Sequence, residues 1–160
     1  MKIVLYCRRN VGMLALSYFV AKGFDVLVIS DDKNILWLAE ILGQRVVTFE
    51  TMGDSWDYFF CVHGNKILPK EMLREGKMIN IHPCLKQGIK GHNPVKRYLE
   101  MGMQHASVSS HYMTEKVDEG RIMATVNFKT GGIKTYAEFY NIAFPHYYKI
   151  LDKTVQILLG

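Results

Sequence analysis

Apolar positions change period several times along the chain, and each change marks a short element. Residues 2–7 form a continuous apolar run of the kind found in strands buried on both faces. From residue 11 to 22 the spacing becomes helical, with Val11, Leu14, Ala15, Tyr18 and Phe19 on one side and Gly23 where the helix should stop. Residues 25–29 read as a second strand. Asp31 or Asp32 caps a helix through Ile41, and residues 45–49 form a short third strand. Further strands are predicted at 57–62, 77–82, 106–113 and 122–128. A helical turn or two lies at 68–73, a loop at 83–93 and a helix from Pro94 to Met101. Thr135 and Glu138 make a capping box for a C-terminal helix that Pro145 is expected to interrupt or kink.

Strands alternating with helices predict an α/β fold with a mostly parallel sheet covered on both faces. No repeat or linker divides the 160 residues, so one domain is expected. With 49% hydrophobic and 22% charged residues, the composition excludes a disordered chain. No run reaches the ~20 apolar residues of a membrane helix, and the start is too short and β-like for a signal peptide. Cys7, Cys61 and Cys84 are an odd count without paired spacing, which argues against both a disulfide framework and a zinc site. A reduced, cytoplasmic setting is the simplest expectation. Twenty basic against fifteen acidic residues give a net charge of +5, enough for an anionic substrate without demanding nucleic acid.

Ligands of open α/β sheets bind beyond the carboxyl ends of the strands, so the residues following each strand carry the candidate chemistry. After the first strand, Cys7-Arg8-Arg9-Asn10-Val11-Gly12 lacks the glycine patterns of nucleotide-cofactor loops. Arg8 and Arg9 stand where a helix N-terminus meets a phosphate, or are simply solvated. In Asn80-Ile81-His82-Pro83, alternation sets an amide and an imidazole on one side of the strand, a pairing suited to polarising a carbonyl. Residues 77–98 hold Lys86, Lys90, Lys96 and Arg97. The Gln87-Gly88-Ile89-Lys90-Gly91 loop suits an anionic ligand. Asp118, in Val117-Asp118-Glu119-Gly120-Arg121-Ile122, is ordinary turn chemistry unless the turn folds back onto His82.

Three segments carry a resemblance. Ile79-Asn80-Ile81-His82-Pro83-Cys84-Leu85, Lys90-Gly91-His92-Asn93-Pro94 and Val117–Ile122 resemble, in order and spacing, the signature of the 10-formyltetrahydrofolate-dependent formyltransferases. That family includes enzymes acting on methionyl-tRNA, glycinamide ribonucleotide and amino sugars. The upstream Phe60–Pro69 segment is similar to the family's folate-lining stretch. The resemblance implies a Rossmann-like formyltransferase catalytic domain over residues 1–160. It implies 10-formyltetrahydrofolate as donor, no metal, and Asn80, His82 and Asp118 as the catalytic trio. Val62, Ile67, Leu68, Val117 and Glu119 would then lie about the pterin, and Arg8, Arg9, Lys90, His92 and Asn93 about the acceptor.

Cys84-Leu85-Lys86-Gln87 departs from the Ser-Leu-Leu-Pro that follows the histidine in many members, and no glycine-rich phosphate loop follows the first strand. With the chain ending at Gly160 and a charge of +5, tRNA binding is not expected. The expected acceptor is the primary amine of a small anionic molecule, a nucleotide-linked amino sugar above all. The alternatives are activity on glycinamide ribonucleotide or methionyl-tRNA, formyltetrahydrofolate hydrolysis, and folate binding without turnover. Phe139, Phe144, Tyr147 and Tyr148 serve equally for a homodimer contact or for internal packing.

Overall fold

A computed structural model describes residues 1–160. The elements run β1 (Lys2–Cys7), α1 (Arg9–Ala21), β2 (Asp25–Ile29), α2 (Lys33–Ile41), β3 (Arg45–Val46), β4 (Tyr58–Val62), β5 (Met78–Pro83), α3 (Pro94–Glu100), β6 (His105–Tyr112), β7 (Ile122–Lys129) and α4 (Tyr136–Leu159). Short 3-10 turns occur at Lys70–Met72 and Leu85–Gln87. The seven strands form one sheet in the order β3-β2-β1-β4-β5-β6-β7. Strands β1 to β5 pair in parallel, whereas β5-β6 and β6-β7 are antiparallel. The β6–β7 connection is a turn, too short for the crossover that parallel pairing requires, whereas β5 and β6 pair antiparallel although α3 lies between them.

Alternation along β1 sorts its side chains to two cores. Ile3, Leu5 and Cys7 enter the larger one, and Val4 and Tyr6 the smaller. Every helix buries its apolar residues in the larger core; α4 alone contributes Phe139, Ala143, Tyr147, Ile150, Leu151 and Val155. The opposite face of the sheet is closed by loop residues, among them Val47, Phe49, Trp56, Leu68 and Leu73. A loop-covered face leaves concave gaps that packed helices would fill. Asn80 and His82 project toward that face.

Local signals account for most element ends. Asp32 Oδ1 accepts the Asn34 N–H at 3.0 Å and starts α2. The Thr135–Glu138 capping box forms as the spacing predicts. One expectation is corrected, and of the two outcomes expected at Pro145 the interruption does not occur. Strand β3 keeps only two residues because the chain turns at once, Thr51 Oγ1 accepting the Thr48 N–H at 2.9 Å. Helix α4 runs through Pro145 without a break. Pro145 and Asn141 lie on the exposed side, where water meets the freed carbonyl, and the buried stripe on the opposite side holds the helix together. No helix is long and apolar enough to cross a membrane.

Candidate active site

Parallel order reverses direction between β1 and β4, and the adjoining strand ends open a crevice there. On β5, Ile79 and Ile81 point into the larger core, so Asn80 and His82 must face the loop-covered side. Register brings Cys61 of β4 and His111 of β6 alongside Asn80. Asp118 arrives from the β6–β7 turn, thirty-six positions beyond His82.

That turn is held by close backbone packing. Asp118 adopts a left-handed φ of 57°. A β-carbon on Gly120 would lie 1.7 Å from the Tyr112 carbonyl oxygen, so only glycine lets the turn lie against β6. The Asp118 carboxylate then meets three elements. Oδ2 is 3.0 Å from His82 Nε2 and accepts the Gly91 N–H at 2.7 Å, while Oδ1 accepts from Asn80 Nδ2 at 3.1 Å and lies 3.4 Å from His111 Nε2. His82 and Asp118 are only 6% and 9% exposed. Burial acts to raise the Asp118 pKa. The hydrogen bonds from His111 and His82, the charge of His82 and the Gly91 N–H outweigh it and hold the carboxyl well below the usual range, so Asp118 stays ionised.

Two features bear on what this cluster can do. His82 Nε2 is committed to Asp118, but its buried Nδ1 has no partner in the protein. Asn80 Nδ2 also lies 3.3 Å from His111 Nε2, so its amide is shared inside the cluster and must swing from Asp118 to meet anything else. His111 escaped the sequence reading. Its only signal is the cross-strand register opposite Asn80, which no spacing along the chain reveals.

Asn80 and His82 stand in the wall between two cavities. One, of about 250 Å³, has an apolar side formed by Ile67, Leu68, Leu73, Met113 and Val117, facing polar groups that include Asn65, Lys66, His111, Thr114 and Asp118. The other, of about 140 Å³, is the more polar of the two, with Arg8, Arg9, His63, Asn65, His92 and Asn93 beside Val95, Tyr136 and Tyr140. Tyr6 shapes their shared rim: its hydroxyl donates to Asn65 Oδ1 at 2.6 Å and accepts the Asn65 and Lys66 N–H groups at 3.0 and 3.1 Å. Gly64 packs on the same ring, where a β-carbon would come within 2.3 Å. The largest concavity, about 1250 Å³, is an open groove between α1 and α4 that meets this cleft only at Arg9, Tyr136 and Tyr140. It holds no acid–base cluster, so the smaller cleft is the candidate site.

Ile67, Leu68 and Val117 therefore line the apolar cavity, and Arg8, Arg9, His92 and Asn93 the polar one, with His92 reaching both. Three expected residues do not. Val62 is fully buried in the larger core, because alternation along β4 turns it away from the Cys61 face. Lys90 Nζ and Glu119 Oε1 lie 3.5 Å apart and line neither cavity; they pin the 83–93 loop to the β6–β7 turn. Arg8 is also spoken for, its Nε 2.7 Å from Asp31 Oδ1. The N–H of Arg9 is met by Asp32 Oδ2 at 3.0 Å.

His63, at the end of β4, carries a second titration. Burial, then the positive charges of Arg9 and His82, push its pKa down to about 3 from 6.5. An unfolded chain binds a proton there between those values and the folded one does not, so the fold loses stability as pH falls from about 6.5. The urea midpoint is expected to drop between about pH 7 and about pH 5. His63→Gln should show a smaller drop; an equal drop would assign the effect to other groups such as His146, which burial also shifts downward.

The open α/β sheet thus carries a buried amide–imidazole–carboxylate cluster between two cavities, the layout of an enzyme site. The formyl transferase family description matches residues 45–141, and the chain belongs to that family. It is 25% identical over 183 residues to the bifunctional polymyxin resistance protein ArnA of Wigglesworthia glossinidia brevipalpis, covering 99% of this chain and 28% of that protein. The chain thus spans under a third of that relative's length. Among solved structures it is similar to WlaRD, a sugar 3N-formyl transferase determined with dTDP and 5-N-formyl-THF, at TM-score 0.83 and 20% identity over 98% of this chain and 62% of that one. It is also similar to the phosphoribosylglycinamide formyltransferase of Streptococcus pneumoniae TIGR4, at TM-score 0.82 and 21% identity over 99% of both chains.

Proposed function

We propose that this protein is an N-formyltransferase that moves a formyl group from 10-formyltetrahydrofolate to a primary amine of a small anionic acceptor. The observation that carries the reading is the position of Asn80 and His82 in the wall common to an apolar and a polar cavity, backed by an ionised Asp118. A flat ring with apolar faces and polar edges, such as a pterin, suits the cavity walled by Ile67, Leu68, Met113 and Val117 beside Asn65, Thr114 and Asp118. The polar cavity then takes the amine, and the two substrates meet at His82.

The donor supplies an electrophilic carbonyl, and the chain supplies the electrostatics. Asp118 fixes the imidazole through Nε2 and balances a positive charge on it, leaving Nδ1 as the one unsatisfied edge of the ring. That edge meets the oxygen on which negative charge develops. Asn80 swings its N–H from Asp118 to the same oxygen, a donor of the kind worth about 3 kcal/mol. The amine attacks the formyl carbon, the bond from that carbon to the tetrahydrofolate nitrogen breaks, and a water beside Asp118 passes the proton the amine loses to the departing nitrogen.

A nucleotide-linked amino sugar is the favoured acceptor. Asp31 and Asp32 occupy Arg8 and the Arg9 N–H, so the end of β1 is neutralised where a glycine-rich loop would hold a phosphate. Anion recognition passes instead to the Arg9 side chain, His92 and Asn93. Incubation with 10-formyltetrahydrofolate and a panel of dTDP-amino sugars and glycinamide ribonucleotide is expected to yield a formylated nucleotide sugar by mass spectrometry. Product from glycinamide ribonucleotide alone would overturn the acceptor, and formate release without any amine would point to a hydrolase.

A further inference from the structure

His63 lies outside the Asn80–His82–Asp118 cluster yet lines the polar cavity with Arg9, Asn80 and His82. It ends β4 in a left-handed conformation, φ 59°, which turns its ring toward α4. There it packs edge-on against Tyr140 and Tyr147, with centroids 5.6 Å from each. Nε2 sits 2.7 Å from the Tyr147 hydroxyl. Tyr147 is 0% exposed, and its hydroxyl has no other partner in the protein.

That isolation decides the direction of the hydrogen bond. A buried phenol has one hydrogen to place, and leaving it unmet costs more than donating it. Here the only available acceptor is Nε2. The phenol keeps its proton, since burial raises the Tyr147 pKa well above its ordinary value. The imidazole is neutral, as shown above, so with Nε2 accepting, the ring proton must sit on Nδ1. Nδ1 makes no hydrogen bond within the protein and is not among its sealed, partnerless atoms.

We propose that Tyr147 locks His63 in the Nδ1–H tautomer, giving the polar cavity a fixed, uncharged hydrogen-bond donor that reads an oxygen atom of the acceptor close to its amine. The acceptor half of this inference rests on the reading that the polar cavity holds the amine substrate. A locked Nδ1–H has no lone pair facing the cavity, so His63 is a binding residue and not a base, and Tyr147 is its positioning residue.

Long-range proton–nitrogen correlation spectra of histidine-labelled protein test the tautomer without any substrate, His63 being assigned by its loss in His63→Gln. The expected result is the Nδ1–H pattern in the native protein and its loss in Tyr147→Phe, which removes the donor while keeping the ring. An Nε2–H pattern, or one unchanged in Tyr147→Phe, overturns the lock. In kinetics, His63→Gln, whose amide falls near Nε2, should raise the acceptor KM about three- to tenfold with kcat within about twofold. His63→Asn, whose amide falls near Nδ1, should restore KM to within about twofold. A fall in kcat at constant KM in both variants would overturn the recognition role. Absence of turnover with every acceptor would remove the transferase reading and that role together, while the spectra still judge the tautomer.

Discussion

Asp118→Asn is expected to lower kcat/KM for formyl transfer by about 10³- to 10⁴-fold while leaving the fold intact, the scale seen when the carboxylate behind a working imidazole is neutralised. Asparagine fills the same space, and its carbonyl can still accept the Gly91 N–H that holds the loop. What it loses is the charge. Nothing then balances a positive charge on the His82 ring, and the new NH2, in the place of Oδ1, meets the Asn80 amide donor. Steady-state kinetics with a melting curve as the fold control make the measurement. A loss below about tenfold with an unchanged melting point would remove Asp118 from the mechanism and leave it a structural clamp.

Gly120→Ala is expected to destabilise the protein by about 3–5 kcal/mol and to abolish transfer, although Gly120 touches no cavity. The added carbon meets the Tyr112 carbonyl, a backbone atom of β6 that has no rotamer with which to yield. The Tyr112 N–H is itself bonded to the Arg121 carbonyl at 3.1 Å, so the two sides of the turn cannot part without breaking that bond. Opening the turn carries Asp118 away from His82. Urea denaturation of Gly120→Ala beside Val117→Ala is the comparison. Val117 is 45% exposed, so its truncation should change stability by under about 1 kcal/mol. Equal midpoints for the two variants would show that the turn adapts and that its tightness does not place the carboxylate.

Most of the fold was legible because the main elements are built from local signals. The β1 run, the stripe of α1, Asp32 as cap and the Thr135–Glu138 box each act within a few residues, and each element starts and stops close to its predicted bounds. The short β3 and the unbroken α4 have different causes. Pro145 is a helix breaker by its own chemistry, yet the apolar stripe of α4 has a core to enter and outweighs it. Strand β3 ends early because Thr48 and Thr51 find each other, which apolar spacing does not register.

For the site, alternation on β5 was enough to set Asn80 and His82 on one side of one strand, and motif resemblance added Asp118. The assignment of Val62 failed at a place where alternation also operates: beside Cys61, it had to face the other core. The basic loop drew Lys90 to the acceptor and the resemblance drew Glu119 to the pterin, whereas the fold sets the two 3.5 Å apart as partners. Charge type is written in a residue, but the partner of a charge is a matter of distance.

Residue order alone dictated which groups exist and which side of each strand they occupy, because backbone geometry repeats every two residues in strands and near every four in helices. The meeting of Asp118 and His111 with Asn80, the division of the cleft into an apolar and a polar half, and the hydrogen bond from Tyr147 that sets the His63 proton all depended on the folded chain. Each joins residues from separate elements, brought together only by sheet register, a turn closed against Tyr112 and burial beneath α4.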